Sequence, residues 1–302
     1  MMKVRSYIVI LLIGGLFAGC SSDKKSEKRD DILSGEIEVS VDETILPLFM
    51  EQKEVFESSY YNAKINVIAN PEVQSVNTLL RDDAQIAVLT RELSAEERKH
   101  FENQSVPGRV YPIGYDAIIL VANVNSVDTS IRIGEVVELL KGNKVRDTKL
   151  VFDDLNSSVL RYFVELGKID KVANTYVETA AKGDGVLDEI SRVTGKIGLI
   201  SYNQYLSLKS SFAEIGKIRI LSVLNEKGAE HKYVLPSQTS LSTDEYPLKR
   251  TIYVLNYQPN MGLGLGLSAF MTGDRGQRIV LKSGLLPQTM PGREIIIRDR
   301  VN

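Results

Sequence analysis

The sequence predicts an α/β fold of two lobes with mostly parallel sheets. Three observations carry that expectation. From residue 36 onward, short apolar runs with strand spacing alternate with segments of helical spacing. The 302 residues exceed the usual size of one compact domain. Two extended stretches, one around Asp116 and one around Tyr253, lie far apart in the chain and suit strands that cross between lobes.

The N-terminus reads as a leader. Lys3 and Arg5 precede the apolar run YIVILLIGGLF, and small residues follow up to Cys20. A basic start, a short apolar centre and a small-residue cut site describe a secretory signal. The run is too short to span a bilayer comfortably. Residues 1–20 are therefore assigned to the signal. Cys20 is the single cysteine, so no intrachain disulfide can form. Residues 21–35 are charged and poor in apolar side chains, as a flexible tether is.

The fold then begins. GEIEVSV puts Ile37, Val39 and Val41 on one strand face, and the next segment has helical spacing with Pro47 in its first turn. KINVIA reads as a strand, VNTLLRDD as a short helix and QIAVLT as a buried strand. Ser94 and Glu97 form a capping box for a further helix. A long strand is predicted for RVYPIGYDAIILVAN, then a helix in EVVELLKG closed by Gly142. KLVFDD is a strand that runs into DDLNSS, and VLDEISRVTG is a helix ending at Gly195. KIGLISYNQY and KIRILSVL are read as strands, and TIYVLNYQ as another after a long polar connection. Two short helices are expected in LSAFMTGDRGQRIVLKSGLLP, stopped by Gly284 and Pro287. The predicted division is 36–116 with 247–302 as one lobe and 117–246 as the other.

Composition narrows the function. Hydrophobic residues make up 43% and charged residues 25%, ordinary for a globular chain. The net charge of −2 becomes −4 once the two leader cations go, which argues against nucleic-acid binding. Three strand-to-helix corners carry small polar residues: VDET with Thr44, NPEVQS with Gln74 and Ser75, and DDLNSS with Asp153, Asn156, Ser157 and Ser158. In open α/β sheets ligands sit at the carboxyl ends of strands. Helix N-termini there offer free N–H groups to an anion, though the same residues also serve as plain N-caps. Gly262, Gly264 and Gly266 lack the spacing and context of a dinucleotide fingerprint and read as close helix packing. There is no Gly-x-Ser-x-Gly elbow or His-Glu-x-x-His motif. No enzymatic activity, cofactor or metal is expected.

Several segments in order resemble a known family. LFAGC followed by a polar tether resembles the lipobox of bacterial lipoproteins, with Cys20 as the lipid attachment point. TRELSAEE, GYDAIILVANVN, the Ser157–Ser158 helix start, TGKIGLISYNQY and MTGDRGQRIVLKSGLLP follow along the chain. Together they look like the phosphate-binding lipoproteins of Pst-type ABC importers, within the type II periplasmic binding proteins. The resemblance covers nearly the whole mature chain. It implies two α/β lobes that clamp a ligand by hinge closure. Thr44 matches the family's first-loop hydroxyl, Arg91 falls in its loop after a buried strand, and Ser157 and Ser158 stand at its Ser-Gly-Thr. PEVQS replaces the family's Gly-Ser-Gly-Gly loop, and Asp153 stands near the place of its arginine.

The expectation is thus a monomeric, lipid-anchored cell-envelope protein, periplasmic or surface-exposed. It would bind a small oxyanion, phosphate first, and pass it to an ABC permease. Thr44, Gln74, Ser75, Asn156, Ser157 and Ser158 would supply hydrogen bonds and Arg91 the counter-charge. Asp153 would repel a dianion but could accept the proton of a protonated one. The alternatives are a binding or scaffold lipoprotein that has lost the anion site, and a hydrolase using Ser157 or a carboxylate pair.

Overall fold

A computed structural model of the chain describes residues 31–180, 185–227 and 230–292. The leader, Cys20 and residues 21–30 of the expected tether lie outside the described residues.

Strand β1 (Gly35–Asp42) buries Ile37, Val39 and Val41, the alternation that predicted it. It pairs in parallel with β2 (Ala63–Asn70) along its full length. Helix α1 (Leu46–Ser59) connects them, with Pro47 in the first turn, where a missing N–H is harmless. Then come α2 (Glu72–Leu80), β3 (Ile86–Leu89) and α3 (Ala95–Asn103), the last opened by the Ser94–Glu97 capping box. Strand β3 pairs in parallel with β1.

Strand β4 (Arg109–Asn123) is the spine. It pairs antiparallel with β12 (Lys249–Asn256) as far as Ala117, then from Ile118 with β8 (Lys196–Ser201). One strand therefore belongs to both halves of the sheet. The second half adds β5 (Ser130–Ile131), α4 (Ile133–Leu140), β6 (Lys149–Phe152), α5 (Ser158–Gly167), β7 (Val177–Thr179) and α6 (Gly185–Arg192). It continues through α7 (Tyr202–Leu208), β9 (Ile218–Ile220), β10 (Ser222–Leu224), β11 (Tyr233–Val234) and α8 (Gln238–Ser242). After β12 the chain returns to the first half as α9 (Leu263–Thr272), α10 (Asp274–Lys282) and β13 (Leu286–Pro287). The main sheet runs β2-β1-β3-β12-β4-β8-β6-β7, parallel at both ends and antiparallel around the two crossing strands.

Each half has its own core. Ile37, Phe49, Phe56, Val88, Leu267 and Met271 pack in the first. Leu120, Leu150, Phe152, Phe163, Leu199 and Tyr246 pack in the second. The glycine stretch of α9 is a packing surface. A Cβ on Gly264 would lie 2.6 Å from Ile86 Cδ1 of β3, and one on Gly266 only 1.7 Å from the carbonyl oxygen of Ile32.

Three expectations need correction. KIGLISYNQY is not one strand: Ser201 ends β8, and its hydroxyl caps α7 through a box with Gln204. KIRILSVL breaks at Leu221 into β9 and β10, which join different sheets. The end of the expected tether, residues 31–34, makes a turn bridged between Asp31 and Ser34, because the bare backbone of Gly266 lets Ile32 approach.

Candidate functional site

Asp116 on β4 and Arg250 on β12 are directly opposed across the crossing strands. Their side chains are 0% and 2% exposed, respectively, which is tolerable only for a hydrogen-bonded ion pair. Arg250 Nε and Nη2 donate to Asp116 Oδ2 at 2.9 and 2.8 Å. Ser201 Oγ donates to the same oxygen at 2.8 Å, and the Asn203 amide donates to Oδ1 at 3.0 Å. The guanidinium is thus held from behind. Its outer edge reaches both lobes, with Nη1 donating to Ser158 Oγ at 2.8 Å and Nη2 to Thr44 Oγ1 at 3.0 Å. The two hydroxyls are 3.0 Å apart. Each accepts from Arg250 and one donates to the other, so one hydroxyl hydrogen remains for a further acceptor.

Three carboxylates surround this point. Asp42 caps the turn that carries Thr44, with Oδ1 accepting the Thr44 amide at 3.0 Å. It is fully buried, and its Oδ2 has no hydrogen-bond partner. Burial, and then the negative charge of Glu72, push its pKa up from 3.8 to about 7, against the opposing pull of Arg250 and the Ser158 hydroxyl. Asp153 follows β6, and its Oδ2 is likewise buried without a partner. Burial raises its pKa too, partly offset by the Asp154 amide and the Ser157 hydroxyl. Glu72 opens α2 and is 1% exposed. Arg161 of α5 grips it through Nε and, at 3.2 Å, through Nη2. Arg91 Nε and Thr90 Oγ1 complete its shell at 3.2 and 3.1 Å.

The lobes are therefore in contact. Besides Thr44 with Ser158 and Glu72 with Arg161, the Val73 amide donates to the Asn156 carbonyl at 3.4 Å. The Leu48 amide of α1 donates to Asn203 Oδ1 of α7 at 3.1 Å. This is a closed clamp around one fixed guanidinium, hung on two crossing strands.

Residues 26–275, well over half of the chain, match the PBP superfamily domain. The chain belongs to the PBP superfamily. It is 24% identical over 290 residues to the phosphate-binding protein PstS of Borreliella burgdorferi, covering 92% of this chain and 98% of that protein. Protein SphX of Synechococcus elongatus is 24% identical over 228 residues, which cover 70% of this chain and 65%, less than two thirds, of SphX. Among solved structures it is similar to a Clostridium perfringens protein with bound phosphate, proposed to be a phosphate ABC transporter substrate-binding protein. That likeness has a TM-score of 0.69 at 15% identity and covers 84% of this chain and 100% of the other. At such identity the likeness speaks for the fold. The two-lobed α/β architecture read from the sequence holds.

Within this PBP-superfamily clamp the expected site residues separate into groups. Thr44 and Ser158 meet at the centre. Ser157 is buried beside Ser158, but its hydroxyl caps α5 by accepting the Leu160 amide at 3.4 Å. Asn156 is exposed at the lip, folded onto Asp154. Helix α2 begins with Glu72, earlier than the corner reading supposed, so Gln74 faces solvent and the Ser75 hydroxyl turns back to the Asn70 carbonyl at 3.1 Å. Arg91 is tied to Glu97 at 2.6 and 2.8 Å, and to Glu72. Burial works against its charge, but the Glu97 hydrogen bonds and the two carboxylates outweigh it and hold it protonated. Sequence reasoning missed Asp42, Glu72, Asp116, Arg161 and Arg250 as parts of the clamp. A signal existed for two of them: a lone acid in YDAIILV and an arginine heading the apolar-rich RTIYVL, each at a run that must be buried. Among the described residues, no cluster of His, Cys, Asp or Glu could hold a metal, and no helix is long and apolar enough to cross a membrane.

Proposed function

We propose that this chain is the substrate-binding component of an ABC-type importer and clamps a small oxyanion, phosphate first, between its lobes. The observation that carries this reading is the Arg250 guanidinium, fixed by Asp116 and offering its outer N–H groups to one hydroxyl from each lobe. A guanidinium held in advance loses little freedom on binding, and its fork fits two oxygens of a tetrahedral anion. The ligand enters between Thr44 and Ser158, takes their mutual hydrogen bond, and takes Nη1 and Nη2 from them. Arg250 thus replaces Arg91 as the counter-charge. The lobes are residues 36–116 with 247–302 and residues 117–246, a division that the partner change of β4 near Ala117 supports. Cys20 carries a lipid that anchors the monomer to the cell envelope, and the chain does no chemistry of its own. The similarity to PstS and SphX supports the assignment.

Titration calorimetry with phosphate tests it. Micromolar or tighter affinity is expected, strongly reduced in the double variant T44A/S158A. Absence of heat from wild type at millimolar phosphate removes the proposal. Glu72 favours a second reading, in which the fold binds an envelope protein and the anion site is lost, because this acid closes the corner that the family fills with glycines. Recovery of a specific protein partner by a chain that binds no small anion selects that reading.

A further inference from the structure

Asp42, like Asp153, has a buried carboxylate oxygen left over at the centre of the clamp, and of the two it is the one on the turn that carries Thr44. It is fully buried, it sits two residues before Thr44, and its Oδ2 has no partner while its Oδ1 is held by the Thr44 amide. It lies beside the Ser158 hydroxyl and the Arg250 guanidinium, the two groups that would receive an anion. The charges facing it from the packed elements are Glu72 on α2 and Arg250 on β12. Arg250 is already matched by Asp116, and Glu72 by Arg161 and Arg91. An ionised Asp42 would leave an uncompensated negative charge where the ligand brings one or two more. Desolvated like charges at contact distance disfavour each other's ionisation, and the complex relieves this by taking up a proton.

Resting on the oxyanion reading above, we infer that Asp42 is a specificity-determining residue that enters the complex as a neutral acid and donates its O–H to the bound anion. The bond is formed from Oδ2, and the proton comes from solvent as the ligand binds. Such a donor pairs with an anion oxygen that carries no proton of its own, which hydrogen phosphate also presents. An ionised Asp42 would instead demand a ligand that carries its own proton. In the free clamp, burial and the charge of Glu72 already bring Asp42 to about 7, so the uptake falls in the neutral range.

Calorimetry with inorganic phosphate in buffers of different ionisation heat, on wild type and D42N, decides it. Asn keeps the shape and a donor but cannot titrate. At pH 8 wild type is expected to take up about one proton more than D42N on binding. Because phosphate's own titration is common to both proteins, the ratio of wild-type to D42N affinity isolates Asp42. That ratio is expected to rise about tenfold from pH 8 to pH 6, as follows from a group near 7 that is protonated in the complex. Equal proton uptake in the two proteins overturns the inference, as does a D42N that folds, by its circular dichroism, but no longer binds phosphate. Wild type that binds no phosphate at either pH overturns the underlying reading, and this inference with it.

Discussion

Removing the Arg250 guanidinium is the sharpest perturbation of this clamp. In Arg250→Met the four hydrogen bonds to Asp116, Ser158 and Thr44 disappear. Asp116 stays 0% exposed and keeps only the Ser201 hydroxyl and the Asn203 amide. A buried carboxylate that loses its cation costs about 3–5 kcal/mol. For a chain of this size that corresponds to a fall in Tm of roughly 6–20 °C. The R250M/D116N double variant removes both charges and should recover part of the loss, with a coupling of roughly 2–3 kcal/mol in urea titrations of all four proteins. Phosphate affinity should fall roughly ten- to 150-fold in R250M, the worth of one charge-assisted bond pattern. Arg250→Lys keeps a charge for Asp116 but cannot fork to two hydroxyls, so it should retain most stability and little affinity. If R250M costs under about 1 kcal/mol and its effect simply adds to that of D116N, the pair is wet in solution and the clamp is not the closed one described.

Other expectations follow from the same contacts. In Arg161→Met, Glu72 loses its tie to the second lobe but keeps Arg91 and Thr90, so the cost should be about 1–2 kcal/mol, below that of an orphaned buried acid. Small-angle scattering of the unliganded variant should show a more open clamp, and an unchanged radius of gyration would deny the latch its role. The folded state holds Asp42 up from 3.8 to about 7, so it binds the proton more tightly than the unfolded chain does. Its contribution to stability is present at low pH and is lost as pH rises through 7, by at most about 4 kcal/mol. D42N should therefore gain on wild type between pH 5 and pH 8 in denaturant titrations, and a pH-independent difference would count against the burial of that charge. A Cβ at Gly276 would lie 2.4 Å from the Phe270 carbonyl oxygen and 2.6 Å from Met271 Cα, so Gly276→Ala should cost about 2–3 kcal/mol. Gly216→Ala, with nothing within 4 Å of the added methyl, should be neutral to about 0.5 kcal/mol; equal losses in thermal unfolding would refute the packing.

Much of the architecture was legible because burial leaves a periodic trace. Ile37, Val39 and Val41 marked β1, and the long apolar stretch ending at Asn123 marked the crossing strand to its boundaries. Misreadings arose where two signals overlapped. Apolar KIGLIS masks the start signal Ser201–Gln204, so from sequence alone the segment of α7 reads as more strand. The site was legible only in part. Thr44 and Ser158 stand at strand-to-helix corners, and a corner is a local pattern. Arg250 and Asp116 are 134 residues apart, and no local pattern links them. What the chain does show is an acid in the middle of β4 and an arginine near the start of β12, and a charge buried there needs a partner it cannot find nearby.

The acids of the clamp look ill placed for an anion until each is matched with its cation. Asp116 aims Arg250, and buried Glu72 draws the half-buried Arg161 and Arg91 into a single cluster across the two lobes. An arginine free in solution spends much of its attraction on becoming ordered, whereas one already fixed spends none when the ligand arrives. The net charge presented to the ligand is small, so binding rests on oriented N–H and O–H groups more than on long-range attraction, and should respond weakly to salt compared with a site of exposed lysines. The Glu72–Arg161 contact joins the lobes through the protein's own groups. On the proposed reading the anion displaces the Thr44–Ser158 hydrogen bond and leaves that latch alone, which favours a compact tetrahedral ion that two hydroxyls and one guanidinium can hold.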